Sequence, residues 1–251
     1  MQFALLLACL EPVPPPLPPA TGPTLSVLSY NVNFERYDER TVAAITSANA
    51  DIVLLQETTA VWESAIRASL GTVYPTILFH PHDPDGGQGV LSRFPLQVHA
   101  RLDSPAGMFP ATCLTLDAPG GPLSLVHVHL HPPLEDGSLL RGYFTTSDQR
   151  FAEMQAYLGC FDTPPDLVAG DFNEGEGDAL DLLVAAGLFD AASAFPPVAE
   201  TWSWQSDFGL LTGRPDHVYY GPDWVPQRVD VLPGGASDHH PLRVDLRRAL
   251  R

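Results

Sequence analysis

The sequence predicts one domain of the α+β class, in which β-sheets and helices pack in layers. Its 251 residues favour a single large domain over two small ones. Its hydrophobic content of 45% is sufficient for a sizeable core. Near the N-terminus the pattern alternates strand, helix and strand, whereas the later part of the chain contains more strands than helices.

Amphipathic stretches predict four helices, and apolar or alternating stretches between turn signals predict the strands. Asp38 is placed to cap the first helix, and Gly71 is a candidate stop for the second. The helices are expected at 39–49, 59–70, 148–159 and 177–186. The strands are expected at 24–31, 51–57, 73–79, 89–95, 97–102, 111–116 and 123–130, from Leu167 onward, and at 216–220, 228–232 and 242–246. A long loop over 132–146 is of the kind that often carries function.

The chain is strongly acidic, which limits the partners it can bind. Its formal net charge of −17 arises from 30 acids and 13 bases, and every base is an arginine. The absence of lysine excludes chemistry that needs a lysine nucleophile or a Schiff base. A protein that binds duplex DNA normally carries a basic patch, for which this chain has few residues. An anionic substrate would need a bound cation to offset the acidic field, so the charge favours a metal-dependent site or a small substrate.

Residues 1–23 differ in composition from the domain expected at 24–251. The apolar run 3–8 precedes Cys9 and is too short to span a bilayer as a helix. Leu6-Leu7-Ala8-Cys9 resembles the lipobox of a bacterial lipoprotein signal, although no basic residue precedes the run. This resemblance predicts export to the cell envelope or the medium, with a membrane tether through a lipidated Cys9. A chance match would instead leave the protein in the cytoplasm.

Two further features bear on export. Seven prolines lie between residues 11 and 23, which predicts either an extended tether or a disordered tail. Cys113 and Cys160 could form a disulfide, as exported domains often do, or could be two separate buried side chains. The sequence does not decide between these alternatives.

The most informative stretch is 167–173, an apolar run that ends in Gly-Asp-Phe-Asn. The run predicts a buried strand, and Gly170 allows the backbone to bend or to pass close to a neighbour. Asp171 and Asn173 would point to the same side of an extended chain. A carboxylate and a carboxamide at that point suit activation of water and contact with an oxyanion. The alternative is an ordinary turn, since Asp and Asn favour turns.

Several other predicted strands also begin or end at polar residues of catalytic types. Asn31, Glu57 and His129 end three of them, Asp216 opens another, and Ser237-Asp238-His239-His240-Pro241 precedes the last. Any one of these residues is more often a solvated turn residue or a packed histidine than part of a site. Their coincidence at so many strand ends predicts that they share one site.

These residues lie in short motifs that resemble, in order, those of the endonuclease/exonuclease/phosphatase superfamily. The motifs are Ser29-Tyr30-Asn31, Leu55-Gln56-Glu57, Gly89-Val90-Leu91-Ser92-Arg93-Phe94-Pro95, Val128-His129-Leu130, Gly170-Asp171-Phe172-Asn173, Arg214-Pro215-Asp216 and Ser237-Asp238-His239. Each motif is weak alone, whereas the ordered set over residues 25–247 is specific. The resemblance implies a DNase I-like fold, which is a four-layer α-β-β-α sandwich of two mainly antiparallel sheets with the site at one rim.

The resemblance also implies hydrolysis of a phosphoester with a divalent cation, Mg²⁺ in most members, with Mn²⁺ as an alternative. Glu57 would be the main metal ligand, with Asn31 beside it and Asp238 near the metal; oxygen ligands suit a hard cation. His127 and His240 add imidazoles near the expected rim. They could favour a softer metal such as Zn²⁺ or Mn²⁺, or could simply pack.

The remaining roles follow from the same resemblance. Asp171 would orient or deprotonate the attacking water, and Asn173 would donate a hydrogen bond to the phosphoryl oxygen. His239, oriented by Asp216, would act on the water or the phosphate. His129 would contact the phosphate or protonate the leaving oxygen.

Arginines are the only cationic side chains available to attract the substrate. Arg93 and Arg214 are the predicted substrate-binding residues, and Arg141 and Arg150 are further candidates. Three positions depart from the usual motifs of the superfamily, namely Val128, Pro215 and His217.

The sequence therefore predicts an exported, monomeric, metal-dependent phosphoesterase. Its substrate would be nucleic acid, a phospholipid head group or a small phosphoester. The alternative is a surface-tethered binding protein of the same fold that lacks catalysis, and the completeness of the motif set favours the enzyme. Trp202 and Trp204 would line the rim, where they could stack on a base or contact lipid, or would pack elsewhere.

Overall fold

The computed structural model describes residues 21–82, 86–134, 142, 145–206 and 209–249. The helices in this part of the chain are α1 (Glu39–Ala48), α2 (Ala60–Leu70), α3 (Ser147–Leu158) and α4 (Asp178–Ala185), with a short 3₁₀ helix at Ala191–Ala194. The strands are β1 (Thr24–Asn31), β2 (Ile52–Thr58), β3 (Thr76–His80), β4 (Gly87–Ser92), β5 (Leu96–Leu102), β6 (Ala111–Ala118), β7 (Gly121–His129), β8 (Leu167–Asp171), β9 (Phe189–Asp190), β10 (Trp202–Ser206), β11 (Gly209–Gly213), β12 (Asp216–Tyr220), β13 (Trp224–Val231) and β14 (Leu242–Arg248).

The strands form two six-stranded sheets and one separate hairpin. The first sheet has the order β13-β14-β1-β2-β4-β3, the second has the order β5-β6-β7-β8-β12-β9, and β10 pairs with β11. Only the pairs β1–β2 and β7–β8 are parallel among the described strands. The expectation of two mainly antiparallel sheets is therefore confirmed.

Three apolar clusters separate four layers. The first lies between the two sheets and joins residues such as Leu54 of β2 to Leu125 of β7. A second packs α1 and α2 on the outer face of the first sheet, around Trp62. The third packs α3 and α4 on the outer face of the second sheet, around Met154. This arrangement is the predicted α-β-β-α sandwich.

The two parallel strand pairs are anchored in the same way at their amino-terminal side. The Asp51 carboxylate accepts hydrogen bonds from the backbone N–H and the hydroxyl of Ser26, at 2.9 and 2.7 Å. The Asp166 carboxylate accepts the equivalent pair from Ser124, at 2.8 and 2.9 Å. These contacts fix the register of β1 with β2 and of β7 with β8. The carboxyl ends of all four strands consequently emerge at the opposite rim, as the sequence predicted for the site.

The observed helices begin and end within two residues of the predicted bounds, and Asp38 caps α1 as expected, accepting a hydrogen bond from the Arg40 N–H. Gly71 follows α2 but has a φ of −61°, so it does not adopt the left-handed conformation typical of a glycine stop. The strand expected at 73–79 begins only at Thr76, because the 71–75 segment continues the helical turn through hydrogen bonds to Leu70.

Cys113 of β6 forms a disulfide with Cys160, just after α3. Cys9 with its lipobox, Arg141 and much of the predicted 132–146 loop lie outside the described residues. In the part of the chain that is described, no helix is both long enough and apolar enough to cross a membrane.

Candidate active site

Asn31 connects the two sheets at the rim where β1, β2 and β8 end. Its amide Nδ2 donates to Glu57 Oε1 at 2.9 Å and to Asp171 Oδ2 at 3.0 Å. Glu57 Oε2 accepts a further hydrogen bond from the Phe34 N–H at 3.2 Å. The predicted convergence of Asn31, Glu57 and Asp171 is therefore present in the structure.

The backbone turns sharply near the carboxyl ends of β2 and β8. Glu57 has a φ of +59° and Asn173 has a φ of +53°, in the left-handed region that is uncommon for non-glycine residues but more accessible to Asn. The register of β2 with β4 shifts between Leu55 and Thr58, so Glu57 sits on a bulge. Asp171 Oδ1 accepts from the Asn173 N–H at 2.8 Å, which is an Asx turn. The turn that the sequence offered as one alternative is therefore present, and it does not prevent Asp171 from contacting Asn31 at the rim.

His239 lies between two carboxylates. Its Nδ1 is 2.9 Å from Asp216 Oδ2, and its Nε2 is 3.7 Å from Asp171 Oδ2. The antiparallel register of β12 with β8 places Asp216 directly opposite Asp171. Burial by itself opposes the charged ring, but the charges of Asp216 and Asp171 outweigh burial and raise the pKa of His239 to about 10. The imidazole is therefore protonated at neutral pH.

Asp171 has the properties of a general base. It is fully buried. Burial raises its pKa to about 7, and the neighbouring Asp216 contributes in the same direction, against the lowering effects of His239 and Asn31. A carboxylate whose pKa lies near the working pH is suited to accept a proton from water. Desolvation is the main physical cause of this property.

His129 faces the same space from β7. Its Nε2 is 3.6 Å from Asp171 Oδ2 and 4.0 Å from Glu57 Oε1. Its ring stacks on Phe109, with centroids 3.7 Å apart and an interplanar angle of 7°. Burial, followed by the charge of His239, lowers the pKa of His129 well below its usual value. Sequence reasoning missed Phe109, because it lies in a loop where no periodic pattern marks it.

Asn173 and Asp238 each form hydrogen bonds that fix the position of their side chains. Asn173 Nδ2 donates to the Leu130 carbonyl at 2.8 Å, so one of its two amide protons is already used. Asp238 accepts from Asn33 Nδ2 and from Trp202 Nε1, each at 2.9 Å. Asp238 therefore lies at the rim of the site, and its carboxylate connects the site to the hairpin that carries Trp202.

The donor set fits a hard divalent cation. Burial raises the pKa of Glu57, so two desolvated carboxylates, Glu57 and Asp171, face each other across one amide and are stabilised by added positive charge. Asn31 directs its nitrogen toward them, so a role as metal ligand requires its Oδ1 to turn inward. Asp171, Asp216 and His239 also place ligand atoms within 4.8 Å of one another. The hydrogen bond between Asp216 and His239 competes with that second arrangement.

The predicted histidines of a softer metal site are placed elsewhere. His127 is buried between the sheets, with its Nε2 2.7 Å from Gln56 Nε2. The His240 N–H donates to the Thr201 carbonyl. Neither residue lines the pocket described below. The structure therefore does not bring either imidazole into the candidate metal site.

The candidate arginines differ in position. Arg214 lines the pocket, where its Nη1 donates to Asp190 Oδ2 at 2.8 Å. Arg150 is buried, and its Nε is 2.7 Å from Glu174 Oε2. Arg93 pairs with Asp51, which precedes β2, at 3.1 Å. Asp51 and Glu57 lie at opposite ends of β2, about 20 Å apart, so the structure does not bring Arg93 into the site.

A pocket of about 950 Å³ opens above these groups. Its floor includes Glu57, Asp171 and His239, and its walls are rich in aromatic and aliphatic side chains. Trp202 and Trp204 belong to one wall, as one of the sequence-based alternatives proposed. The arrangement combines a buried carboxylate, an imidazole held between two carboxylates and a carboxylate-rich set of donors that fits a cation, all at the base of an open cleft.

Comparisons with known proteins agree with this geometry. A sequence profile of the Endonuclease/Exonuclease/phosphatase family matches residues 28–239, which is more than half of the chain. None of the curated proteins compared with the sequence matches it.

Solved structures with a similar fold include three examples. D. rerio TDP2 complexed with a single-strand DNA product aligns with a TM-score of 0.67 at 16% identity, over 89% of this chain and 99% of that chain. An endonuclease/exonuclease/phosphatase from Beutenbergia cavernae DSM 12333 gives 0.65 at 20% identity, over 90% and 72%. A family protein from Bacteroides thetaiotaomicron gives 0.65 at 17% identity, over 92% and 100%. At these identities the structural similarity shows the fold alone. The profile match confirms the predicted resemblance. The chain therefore belongs to the endonuclease/exonuclease/phosphatase family.

Proposed function

We propose that the protein is a divalent-metal-dependent phosphoesterase that hydrolyses a P–O bond by attack of water. The observation that carries this proposal is the placement of His239 between Asp216 and Asp171, beside the Glu57–Asn31 pair. A single buried carboxylate or histidine would be an ordinary structural feature. A buried base next to a protonated imidazole and a cation site forms a set that serves hydrolysis of an anionic ester.

Each residue of the proposed site has its own role in the reaction. Asp171 accepts the proton of the attacking water, whose oxygen forms the new bond to phosphorus. The P–O bond to the leaving group breaks, and the leaving oxygen departs with the electron pair and takes a proton from solvent. Protonated His239 stabilises the negative charge that builds on the phosphoryl oxygens, and Asp216 holds its ring in position. Uncharged His129, held by Phe109, contacts the phosphoryl or the leaving oxygen. A divalent cation held by Glu57, with Asn31 and Asp238 nearby, would offset the phosphate charge and polarise the P–O bond.

The test is metal-dependent release of p-nitrophenol from bis-p-nitrophenyl phosphate, with Mg²⁺, Mn²⁺ and Zn²⁺ compared. We expect Asp171→Asn and His239→Gln each to lower kcat by about 10²–10⁴-fold, the usual range for a lost acid–base or electrostatic group. Asp148→Asn, an exposed substitution on α3, is the matched control and should retain activity. Metal binding without turnover of any phosphoester would contradict the proposal and favour a non-catalytic binding protein of the same fold.

The substrate classes to be tested are nucleic acid, phospholipid and small phosphoesters. The D. rerio TDP2 structure contains a single-strand DNA product, which makes single-stranded DNA one necessary arm of the panel.

We also propose that the protein is exported and tethered through Cys9. The disulfide between Cys113 and Cys160 supports this, because structural disulfides persist in oxidising compartments. Metabolic labelling with a radioactive fatty acid in a bacterial host tests the tether. Label should enter the full chain and be absent from Cys9→Ala; a wild-type chain that remains unlabelled and cytoplasmic would overturn the proposal.

A further inference from the structure

The pocket above the candidate catalytic groups has two apolar walls, one in contact with His129 and the other with His239. On the His129 side, Phe109 stacks on the imidazole. Met108, its neighbour in the chain, and Leu134 also line the pocket. Leu134 is 47% exposed, which leaves its side chain free to contact a bound group.

The opposite wall is the β10–β11 hairpin. Trp202 is fixed to the site twice, by its hydrogen bond to Asp238 and by a backbone bridge to His239. Trp204 and Leu211 lie across from each other in the hairpin register, and both line the pocket. Their residues are 38% and 44% exposed. Trp202 therefore ties this wall to the reacting centre, whereas the described residues leave part of the apolar surface of Trp204 and Leu211 exposed.

The charge of the described lining of the pocket is unsuited to a polyanion. Its described lining contains four carboxylates, namely Glu57, Asp171, Glu174 and Asp238. Against them stand two cationic groups, Arg214 and the imidazolium of His239, which is already held between Asp216 and Asp171. Arg214 already donates to Asp190. Arg36 lies at the outer edge, with its guanidinium carbon 5.9 Å from the centroid of Trp204. Each additional phosphate of a nucleic acid or of a multiply phosphorylated sugar needs its own cation, and the described part of the pocket does not supply one.

We propose that this pocket binds a phosphodiester that carries one phosphate charge and one bulky apolar ester group, which packs between Leu134 and the Trp204–Leu211 surface. The inference rests on the proposed phosphoesterase function and names its substrate class. Apolar contact supplies the binding energy that the acidic pocket cannot obtain from phosphate contacts. The apolar ester group is either an alkyl chain or an aromatic ring, and the test distinguishes the two.

The test is a series of p-nitrophenyl phosphodiesters in which the second ester is methyl, butyl, octyl or phenyl. The leaving group is identical throughout, so differences in kcat/KM report binding of the second ester. Burying one methylene contributes about fourfold in affinity. We therefore expect the butyl ester to exceed the methyl ester by at least about tenfold. The octyl and phenyl esters then distinguish an alkyl chain from an aromatic ring.

Variants of the hairpin locate the subsite. Trp204→Ala and Leu211→Asn should each reduce the butyl-to-methyl ratio to about threefold or less, and Trp204→Phe should restore most of it. Val61→Ala removes a side chain that is 56% exposed on α2, outside the pocket, and should leave the ratio unchanged. Loss of the ratio in both hairpin variants, with the metal-dependent reaction of the methyl ester still measurable, supports the proposal.

Two results would overturn the inference alone. One is a flat series, in which all four esters react equally. The other is a single-stranded oligothymidylate that reacts faster than the butyl ester and loses rate steeply with added salt. Absence of turnover for every ester with every metal would overturn the proposed function together with this inference.

Discussion

Replacing Asp216 by asparagine tests whether this carboxylate maintains the charge and orientation of His239. The wild-type carboxylate accepts a hydrogen bond from Nδ1 at 2.9 Å and is fully buried. Asparagine keeps the shape and removes the negative charge. The imidazolium then retains Asp171, Asp238 and Glu57 as nearby acidic groups.

The size of the effect follows from the kind of contact that is lost. A buried hydrogen bond to a charged group contributes about 1.5–3 kcal/mol. Since one pKa unit corresponds to about 1.4 kcal/mol, the pKa of His239 should fall by about one to two units from its wild-type value near 10. The ring also loses the partner that selects its orientation, so kcat should fall by up to about 10⁴-fold.

The assay is an NMR titration of the histidine side chains in the metal-free protein, with the His239 signal assigned through His239→Gln. This readout reports the pKa directly and does not depend on turnover. A pKa shift below about half a unit in Asp216→Asn would refute the argument that Asp216 sustains the charged imidazole.

Three further predictions concern stability, binding and one arginine. Burial raises the pKa of Glu153 to about 7, above its unfolded value of 4.5, so unfolding between these pH values releases its proton. The free energy of unfolding should therefore fall by up to about 3 kcal/mol as pH rises from 4.5 to 7. Glu153→Gln should abolish this component in urea denaturation at pH 5 and pH 8, and the same pH dependence of the unfolding free energy in both proteins would contradict it. Because the raised pKa of Asp171 lets protons compete with a cation, the Mg²⁺ affinity measured by calorimetry should increase up to about pH 7 and level off above it. An affinity that does not change between pH 5 and pH 7 would count against Asp171 lying beside the metal. Arg93→Gln should leave kcat/KM unchanged and cost about 1 kcal/mol or less, since Arg93 makes a partly exposed ion pair remote from the site; a large loss of kcat/KM would show that Arg93 reaches the substrate.

The layered fold and the convergence of the main candidate residues at one rim could be predicted because they depend on strong local signals. Apolar strand patterns end at Asn31, Glu57, His129 and Asp171, and parallel pairing brings those ends to one rim. The family motifs supplied the pairing of His239 with Asp216, which residue spacing alone could not.

Other features could not be predicted, for physical reasons. β10 and β11 are short and largely exposed on both faces, so they lack the alternation that marks a strand. β13 contains Pro226, which interrupts the pattern but is tolerated on an edge strand. Arg93 follows β4, which runs antiparallel to β2, so its position at the end of a strand places it at the opposite rim.

Hydrolysis in ¹⁸O-labelled water measures the central claim most directly. With a divalent cation present, one ¹⁸O atom should enter the phosphate monoester formed from phenyl p-nitrophenyl phosphate, and none should enter the released p-nitrophenol. EDTA and Asp171→Asn should both suppress the incorporation. Label in the phenol, incorporation that persists in Asp171→Asn, or no incorporation with any metal would contradict attack of water on phosphorus at this site.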